Sequence, residues 1–233
     1  MPAARYAHGA ARLPDGRIAF MGGNSTQSSS SVTNTVYIYD PNTNTWTSGP
    51  SMPVGKSFMA CAALESGLIW VAGGATSSKD RSSTTHLLNP STMTWSQAAN
   101  IPQEIGEANG GPLPNGKAGL PGGFGTDQSS SNTALNTFYV YDPTSNSWST
   151  GPAMPTARSR HAVQWTGEGL VVMGGWPTGS QTANEEYDPF ANTWRINPSI
   201  PVGIMDAGSA LVGGKVATFS DNTSTDLVVV YWP

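Results

Sequence analysis

The chain has 233 residues, with 11 Lys and Arg against 15 Asp and Glu, and a formal net charge of −4. This length suits one large all-β domain or two small domains, and the slight acidity argues against a nucleic-acid binder, which carries a basic stripe. The longest apolar runs, such as residues 227–232, are far shorter than the roughly 18 residues of a membrane helix. We therefore predict neither a nucleic-acid partner nor a membrane partner.

The single cysteine, Cys61, excludes an intrachain disulfide and a thiolate zinc cluster. Only 11% of the residues are charged, and the chain contains 27 Gly and 18 Pro. This composition favours short strands joined by many turns and disfavours helices.

Sequence markers recur along the chain with a period of about 50 residues. Gly-Gly pairs that end an apolar run are spaced by 51, 49 and 52 residues, and tryptophans that follow a turn are spaced by 49, 53 and 46. The pairs begin at Gly22, Gly73, Gly122 and Gly174, and the tryptophans are Trp46, Trp95, Trp148 and Trp194.

The first repeat contains four strand-like runs in chain order, at residues 7–13, 17–21, 35–39 and 45–48. Turn residues separate them, because Pro presets φ and Asn tolerates the left-handed region that a hairpin needs. Four short antiparallel strands repeated radially form a propeller blade. The sequence therefore predicts an all-β propeller without any helix of ten or more residues.

The repeated residues resemble the kelch family of β-propellers. The family pattern has an Arg and a His before the first strand, a Gly-Gly pair, a Tyr-Asp-Pro turn and a Trp in the last strand. Repeats one and four match it with Arg5, His8, Gly22-Gly23, Tyr39-Asp40-Pro41 and Trp46, and with Arg158, His161, Gly174-Gly175, Tyr187-Asp188-Pro189 and Trp194. Lys56 and Ile105 replace the Arg in repeats two and three, and Leu88-Asn89-Pro90 replaces the turn in repeat two.

We predict a single kelch-type propeller of five blades, with four antiparallel strands each and with the outer strand absent from the last. The predicted blades span approximately residues 3–51, 54–100, 103–153, 156–199 and 202–233. Two arrangements remain open, namely a closed five-bladed ring and part of a longer propeller. An unpaired strand with Val228, Val229 and Val230 would be an exposed edge that could form a dimer.

Most of the repeated residues are predicted to be structural. The four tryptophans, together with Tyr39, Tyr141 and Tyr187, are expected to pack between neighbouring blades. The resemblance implies a structural role for His8 and His161, while His86 is expected on the surface of its blade. Cys61 is expected to be a small buried hydrophobe.

In kelch propellers, ligands bind at one mouth of the central channel, which is built from two kinds of loop. The first position, two residues after the family Arg, carries Ala7, Phe58, Glu107, Arg160 and Asp206. The second position, directly after each Gly-Gly pair, carries Asn24, Ala75, Phe124 and Trp176, with Asp221 in the divergent fifth repeat. The surrounding kelch residues repeat from blade to blade, whereas the residues at these two positions vary, as expected for a binding site on a repeated scaffold. Aromatic side chains beside charged ones suit a polar ligand. The predicted ligand-binding residues are Phe58, Glu107, Arg160, Asp206, Asn24, Phe124, Trp176 and Asp221.

The favoured function is a binding or interaction module whose channel mouth binds a glycan, a peptide or a protein. The chain has none of the HExxH, GxSxG and phosphate-loop motifs, so no catalytic residue is assigned and no cofactor or metal is expected. A copper radical oxidase is not expected, because Cys61 has no evident tyrosine partner. A nitrile-specifier iron site is not expected either, because no histidine accompanies Glu185, Glu186 and Asp188. We interpret residues 221–226 as a solvated loop rather than a calcium site.

Two alternatives remain open. The first is an enzyme resembling the kelch sialic-acid mutarotases, a class of sugar isomerase, with Glu107 or Asp206 as general base and Arg160 holding a carboxylate. The second is a scaffold or engineered propeller without a ligand. The low charge and abundant Ser, Thr and Asn favour a secreted or cell-surface protein over a cytoplasmic one, and Asn24 and Asn222 each begin a glycosylation sequon.

Overall fold

The computed structural model describes residues 1–26, 31–76, 80–126, 132–177, 182–222 and 225–231, with the backbone alone for 126, 132, 220–222 and 225–231. These residues form 22 β-strands and no α-helix. The all-β prediction is therefore confirmed.

Four sheets contain four antiparallel strands each, and the sheet closest to the C-terminus contains three. We call these sheets blades 1 to 5 in chain order. In blade 1 the strands are β1 (Gly9–Arg12), β2 (Ile18–Met21), β3 (Val36–Asp40) and β4 (Thr45–Ser48), and in blade 2 they are β5 (Ala60–Ala63), β6 (Ile69–Ala72), β7 (Thr85–Asn89) and β8 (Thr94–Ala98).

The remaining blades repeat this order. Blade 3 contains β10 (Gly111–Pro112), β11 (Ala118–Pro121), β14 (Phe138–Asp142) and β15 (Ser147–Thr150), and blade 4 contains β16 (Ala162–Trp165), β17 (Leu170–Met173), β18 (Asn184–Asp188) and β19 (Thr193–Ile196). Blade 5 contains β20 (Gly208–Val212), β21 (Lys215–Asn222) and β22 (Thr225–Tyr231), and a small separate sheet joins β9 (Ile105–Gly106), β12 (Phe124–Thr126) and β13 (Asn132–Ala134).

The turn before each fourth strand is built by one side chain. The carboxylate of Asp40 accepts a hydrogen bond from the Asn42 backbone N–H at 2.9 Å, and Asn89 does the same for Ser91. An Asp or Asn that bonds the backbone two residues onward stabilises a turn locally. The turn of blade 2 therefore survives the replacement of Tyr-Asp-Pro by Leu-Asn-Pro.

The hydrophobic core is divided into clusters that lie between successive blades. Met21 and Ile69 meet between blades 1 and 2, Trp70 and Leu120 between blades 2 and 3, Phe138 and Val172 between blades 3 and 4, and Met173 and Val216 between blades 4 and 5. In blades 2, 3 and 4 both faces of the sheet are therefore buried, because alternate residues of a strand point to opposite sides.

The Gly-Gly pairs bring successive blades into close backbone contact. Each second glycine donates its backbone N–H to a carbonyl of the next blade, as Gly123 does to Arg158 at 2.9 Å. A Cβ added to the preceding Gly122, whose φ is +58°, would lie 2.5 Å from the Arg158 carbonyl oxygen. This position therefore requires glycine for both its backbone conformation and its space.

Three tryptophans link their blade to the preceding one. The indole Nε1 of Trp95 donates to the Pro50 carbonyl at 2.9 Å, that of Trp148 to Ala99 at 2.8 Å and that of Trp194 to Pro152 at 2.8 Å. The predicted packing between blades thus holds for these three. Trp46 instead lies against Phe20 and Tyr39 of its own blade.

The residue at the family Arg position points into its own blade. Arg158 is fully buried, forms an ion pair of 2.5 Å with Glu185 and donates to the Ala183 carbonyl at 3.0 Å. In blade 2 the same two positions hold Lys56 and His86, and Lys56 Nζ donates to the Thr84 carbonyl at 2.7 Å. His86 is therefore buried, and the prediction that it lies on the surface is wrong.

The side chains of His8, His161 and Cys61 pack inside the blades or against their core. His161 is fully buried, and its burial lowers its pKa to about 3, with Arg158 adding a smaller electrostatic effect. Burial also lowers the pKa of His8. The Cys61 thiol packs against the core of blades 1 and 2, donates to the Ala10 carbonyl at 3.3 Å and has its pKa raised to about 11 by burial.

The blades are connected in series. Each hydrophobic cluster joins one blade to the next, and among the described residues no cluster contains side chains of both blade 5 and blade 1. Of the two arrangements left open by the sequence, the described core thus provides no support for ring closure.

Candidate binding site at the channel mouth

The two predicted classes of mouth residue lie side by side. In blade 1 the backbones of Tyr6 and Asn24 exchange two hydrogen bonds, and in blade 4 those of Ser159 and Trp176 do so. In each blade the bridged residue immediately precedes the first mouth position, so Ala7 follows Tyr6 and Arg160 follows Ser159. The loop after each Gly-Gly pair is therefore fastened to the entry of the first strand.

The first mouth position has the same backbone conformation in all five blades. Its φ lies between +52° and +56°, although none of the five residues is glycine. The left-handed region is unfavourable for such side chains and persists where the surrounding structure enforces it. The residues that share it are Ala7, Phe58, Glu107, Arg160 and Asp206.

Hydrogen bonds between successive blades hold these positions together. The N–H of Phe58 donates to the carbonyl of Ala7 at 2.9 Å, that of Arg160 to Glu107 at 2.8 Å and that of Asp206 to Arg160 at 3.0 Å. At the mouth these bonds join blade 1 to blade 2 and blades 3, 4 and 5 to one another, and each blade carries one variable side chain there.

Arg160 is the centre of a charged cluster on blades 3 to 5. Its Nε and NH2 atoms donate to the two carboxylate oxygens of Glu107 at 2.8 and 3.2 Å, and NH1 lies 3.6 Å from Asp206 Oδ2. The guanidinium also lies 5.7 Å from the ring centroid of Phe58, a cation–π geometry. The hydrogen bonds from Arg160 to Glu107 raise the pKa of Arg160, so the cation is held firmly.

An aromatic pair stands on the same blades. Phe124 and Trp176 are both half-buried, and their ring centroids lie 5.2 Å apart in an edge-to-face arrangement. The guanidinium of Arg81 lies 4.6 Å from the Phe124 centroid. Blades 3 and 4 therefore combine ring surfaces with ionic groups at one end of the channel.

The other predicted positions contribute less side-chain surface to the mouth. Asn24 is only 2% exposed, and its buried Oδ1 atom has no hydrogen-bond partner among the residues that the structure describes. Addition of a glycan to this sequon would require the folded loop to open. Asp221 pairs with Asp226 in the antiparallel ladder of β21 and β22, and by strand register it aligns with Gly175 rather than with Trp176. Its side chain lies outside the described residues.

Two mouth residues were missed by the sequence reasoning. Arg81 reaches Phe124 from the loop of blade 2, and Tyr6 packs edge-to-face on Phe58 with a centroid distance of 6.3 Å. Arg81 occupies no repeated position, so only the fold shows its neighbour. Tyr6 precedes a predicted position and could have been found from that adjacency.

Two grooves lie elsewhere on the surface. One of about 290 Å³ lies between blades 1 and 2 on the mouth face and is lined by Val32, Asn34, Val54 and Thr76. The other, of about 280 Å³, lies on the opposite face between blades 3 and 4 and is lined by Pro114, Tyr187 and Phe190 among others. Neither is lined by the predicted mouth residues.

Within the described ranges, no three His, Cys, Asp or Glu side chains are placed to hold a metal ion. The side chains of residues 221–226 lie outside the described part of the chain. Within the same ranges, no helix has the length and apolar character needed to cross a membrane.

Comparison with known proteins agrees with this architecture. Residues 1–175 match the family described as the KLHDC2/KLHL20/DRC7 Kelch-repeats domain. The chain belongs to the kelch-repeat family. Among solved structures it is similar to the one titled "Structure of YjhT", with a TM-score of 0.76 and 17% identity over 94% of this chain and 73% of that chain. No curated protein matches the chain.

Membership of the family confirms the predicted kelch-type propeller. Kelch domains generally bind proteins or peptides, and the chain is in general terms a binding or interaction module. The same scaffold carries many activities, so the identity of the ligand has to be argued from the mouth itself.

Proposed function

We propose that this kelch propeller binds a polar ligand, such as a peptide, a glycan or an exposed protein loop, at the channel mouth on blades 3 to 5. The observation that carries the proposal is the half-exposed Phe124–Trp176 pair beside the Glu107–Arg160–Asp206 cluster. Ring faces bind the apolar surface of a sugar or side chain, while carboxylates accept its hydrogen bonds. On compositional grounds we also propose a secreted or cell-surface location.

The arrangement of Arg160 favours recognition of donors over recognition of anions. Its Nε and NH2 atoms are bonded to Glu107, and NH1 faces Asp206. A ligand carboxylate that approached the remaining N–H groups of Arg160 would lie beside these two carboxylates, which repel it. Hydroxyl, amide or ammonium groups can instead bond to the remaining lone pairs of the two carboxylates.

The isomerase alternative is less well supported by this geometry. A general base must take a proton from the substrate, and the carboxylate of Glu107 already accepts two hydrogen bonds from Arg160. This argument disfavours Glu107 as the base and leaves Asp206, which lies 3.6 Å from Arg160 NH1, as the candidate base of that alternative, while binding is the function that the cluster supports best.

A thermal-shift screen of sugars, short peptides and amino acids tests the proposal, since a ligand of the folded state raises the melting temperature. The shift should be present in the parent and lost in Trp176→Ala. Phe190→Ala is the matched control, because this aromatic side chain is 79% exposed on the opposite face. A shift that Trp176→Ala retains and Phe190→Ala abolishes would place the ligand in the groove of the opposite face and overturn the proposal.

A further inference from the structure

The groove between blades 3 and 4, on the face opposite to the channel mouth, has the features of a binding site of its own. Its volume of about 280 Å³ is just below the roughly 300–1,000 Å³ of small-molecule sites. The buried side chains of Leu113 and Tyr187 belong to its lining, and none of the predicted mouth residues does. The groove is therefore separate from the site on blades 3 to 5 at the mouth.

Phe190 is an aromatic residue at a turn position that is polar in the other blades. The residue two places after the Asp or Asn that builds the turn is Asn42 in blade 1, Ser91 in blade 2, Thr144 in blade 3 and Phe190 in blade 4. All four are exposed, and Phe190 lines the groove although it is 79% exposed. A ligand in the groove would cover apolar ring surface that faces water, which is favourable.

The turn of blade 4 holds the Phe190 backbone in one conformation. The carboxylate of Asp188 accepts the backbone N–H groups of Phe190 at 2.8 Å and of Ala191 at 3.0 Å. The hydroxyl of Tyr187 donates to Asn192 Oδ1 at 2.8 Å, on the far side of the same turn. A segment that is already ordered loses little conformational entropy when a ligand binds. The aromatic ring is thus carried by a rigid support.

Polar side chains from both blades line the groove together with this ring. Asn115 and Ser149 belong to blade 3 and Asn192 to blade 4, and all three residues are exposed. Side-chain amides and hydroxyls can both donate and accept hydrogen bonds, as the hydroxyl groups of a sugar do. An aromatic ring packs well against the C–H face of a sugar ring. The lining therefore provides both kinds of contact that a sugar needs.

The charge of the groove is balanced. Among the described residues that line it, Lys117 is the one with a charged side chain. Its Nζ atom lies 3.3 Å from Asp142 Oδ2, so the two charges offset each other. The groove therefore favours a neutral ligand over an ionic one.

We propose that this groove binds one neutral sugar ring of a glycan, independently of the ligand at the mouth. The C–H face of the sugar packs on Phe190, and its hydroxyl groups bond to the side chains of Asn115, Ser149 and Asn192. An apolar side chain of a peptide would instead leave these polar groups without partners, which costs free energy. A charged side chain would meet no net opposite charge in the groove.

An array of neutral and sulfated glycans, followed by calorimetric titration of the glycan that binds, tests the proposal. The parent chain should bind at least one neutral glycan. Phe190→Ser, which introduces the residue type that blade 2 has at Ser91, should weaken this affinity about tenfold or more, and Phe190→Trp should retain it. Because Phe190 is exposed, Phe190→Ser should melt within about 2 °C of the parent chain, which separates loss of binding from loss of fold.

Ile196→Ala is the matched control, since Ile196 is an apolar residue of the same blade that is 76% exposed and does not line the groove. Its affinity for the glycan should equal that of the parent chain. Ser149→Ala should weaken binding about threefold to tenfold, because it removes one hydrogen bond. Absence of binding to every neutral glycan, or an equal loss in Ile196→Ala and Phe190→Ser, would overturn the proposal.

A variant of the mouth distinguishes the two sites. Trp176→Ala should leave the affinity for this glycan unchanged. Glycan binding that is lost in Trp176→Ala and kept in Phe190→Ser would assign the glycan to the mouth, which would overturn the proposal for the groove and support that for the mouth. A preference for sulfated glycans that Lys117→Met abolishes would identify an anion site and would also overturn it.

Discussion

Arg160 and Glu107 form a two-pronged ion pair between blades 4 and 3, and the backbone N–H of Arg160 also donates to the Glu107 carbonyl. One pair of residues thus connects two blades through both side chain and main chain. The side chains are 33% and 22% exposed, so solvent weakens the electrostatic contribution of the pair.

Glu107→Gln should lower the free energy of unfolding by about 1 kcal/mol, because the charge-assisted bonds become neutral while solvent limits their contribution. Urea unfolding measures this change. Asp206→Asn is the matched control, since Asp206 lies farther from Arg160, at 3.6 Å, and is 45% exposed. A larger loss in Asp206→Asn than in Glu107→Gln would contradict the assignment of Glu107 as the main partner.

Lys56→Met should stabilise the protein most at and below neutral pH. Burial lowers the pKa of Lys56 to about 7, and the neighbouring His86, whose pKa burial and Lys56 lower to about 4, supplies no negative charge. The unfolded chain binds the Lys56 proton up to about pH 10.4, so stability rises with pH between about 7 and 10.

Because one pKa unit corresponds to about 1.4 kcal/mol, the stabilisation by Lys56→Met should reach a few kcal/mol at pH 6 and shrink by pH 10. Chemical unfolding of both proteins across this range measures it. His86→Glu should also stabilise at pH 7, since it supplies the carboxylate that Glu185 provides to Arg158. An advantage of Lys56→Met that is constant with pH would refute the lowered pKa.

Arg158→Ile should cost about 3–5 kcal/mol, because it leaves the carboxylate of Glu185 buried without its partner. Blade 3 carries Ile105 and Tyr139 at the same two positions. The double variant Arg158→Ile with Glu185→Tyr should therefore recover most of the loss. Equilibrium unfolding of the two variants and of Glu185→Tyr completes a double-mutant cycle, and additive losses would contradict the coupling.

The four tryptophans provide an internal comparison of one hydrogen bond. Trp95→Phe, Trp148→Phe and Trp194→Phe each leave a carbonyl of the preceding blade without its donor. Each should cost about 1–2 kcal/mol more than Trp46→Phe, which removes a similar ring without a described acceptor. Thermal unfolding of the four variants measures the difference, and four equal losses would argue against it.

Much of the fold could be predicted from the sequence because kelch geometry is encoded locally. The first repeat was expected to have strands at residues 17–21 and 45–48, and the structure has Ile18–Met21 and Thr45–Ser48. Asp40 builds its turn through its own side chain, and Gly122 is required by its own φ. Such signals need no knowledge of distant residues.

The surroundings of individual side chains could not be predicted in the same way. His86 was placed in the correct strand but was expected on the surface, because only the packed blade shows that it is buried near Lys56. The mouth residues were gathered from repeat positions, yet the bonding of Arg160 to Glu107 and the approach of Arg81 to Phe124 depend on neighbouring blades.

The sequence by itself determined the repeat, the strands and the turns, since these depend on residue types and spacings within about 50 positions. Tertiary structure alone decided which faces meet. It packs Trp95 against blade 1 through a hydrogen bond to Pro50, whereas Trp46 packs on Phe20 and Tyr39 of its own blade, although both tryptophans occupy the same place in their repeats. The physical reason is that burial and hydrogen bonding between blades depend on pairs of blades, which the residues of one repeat do not specify.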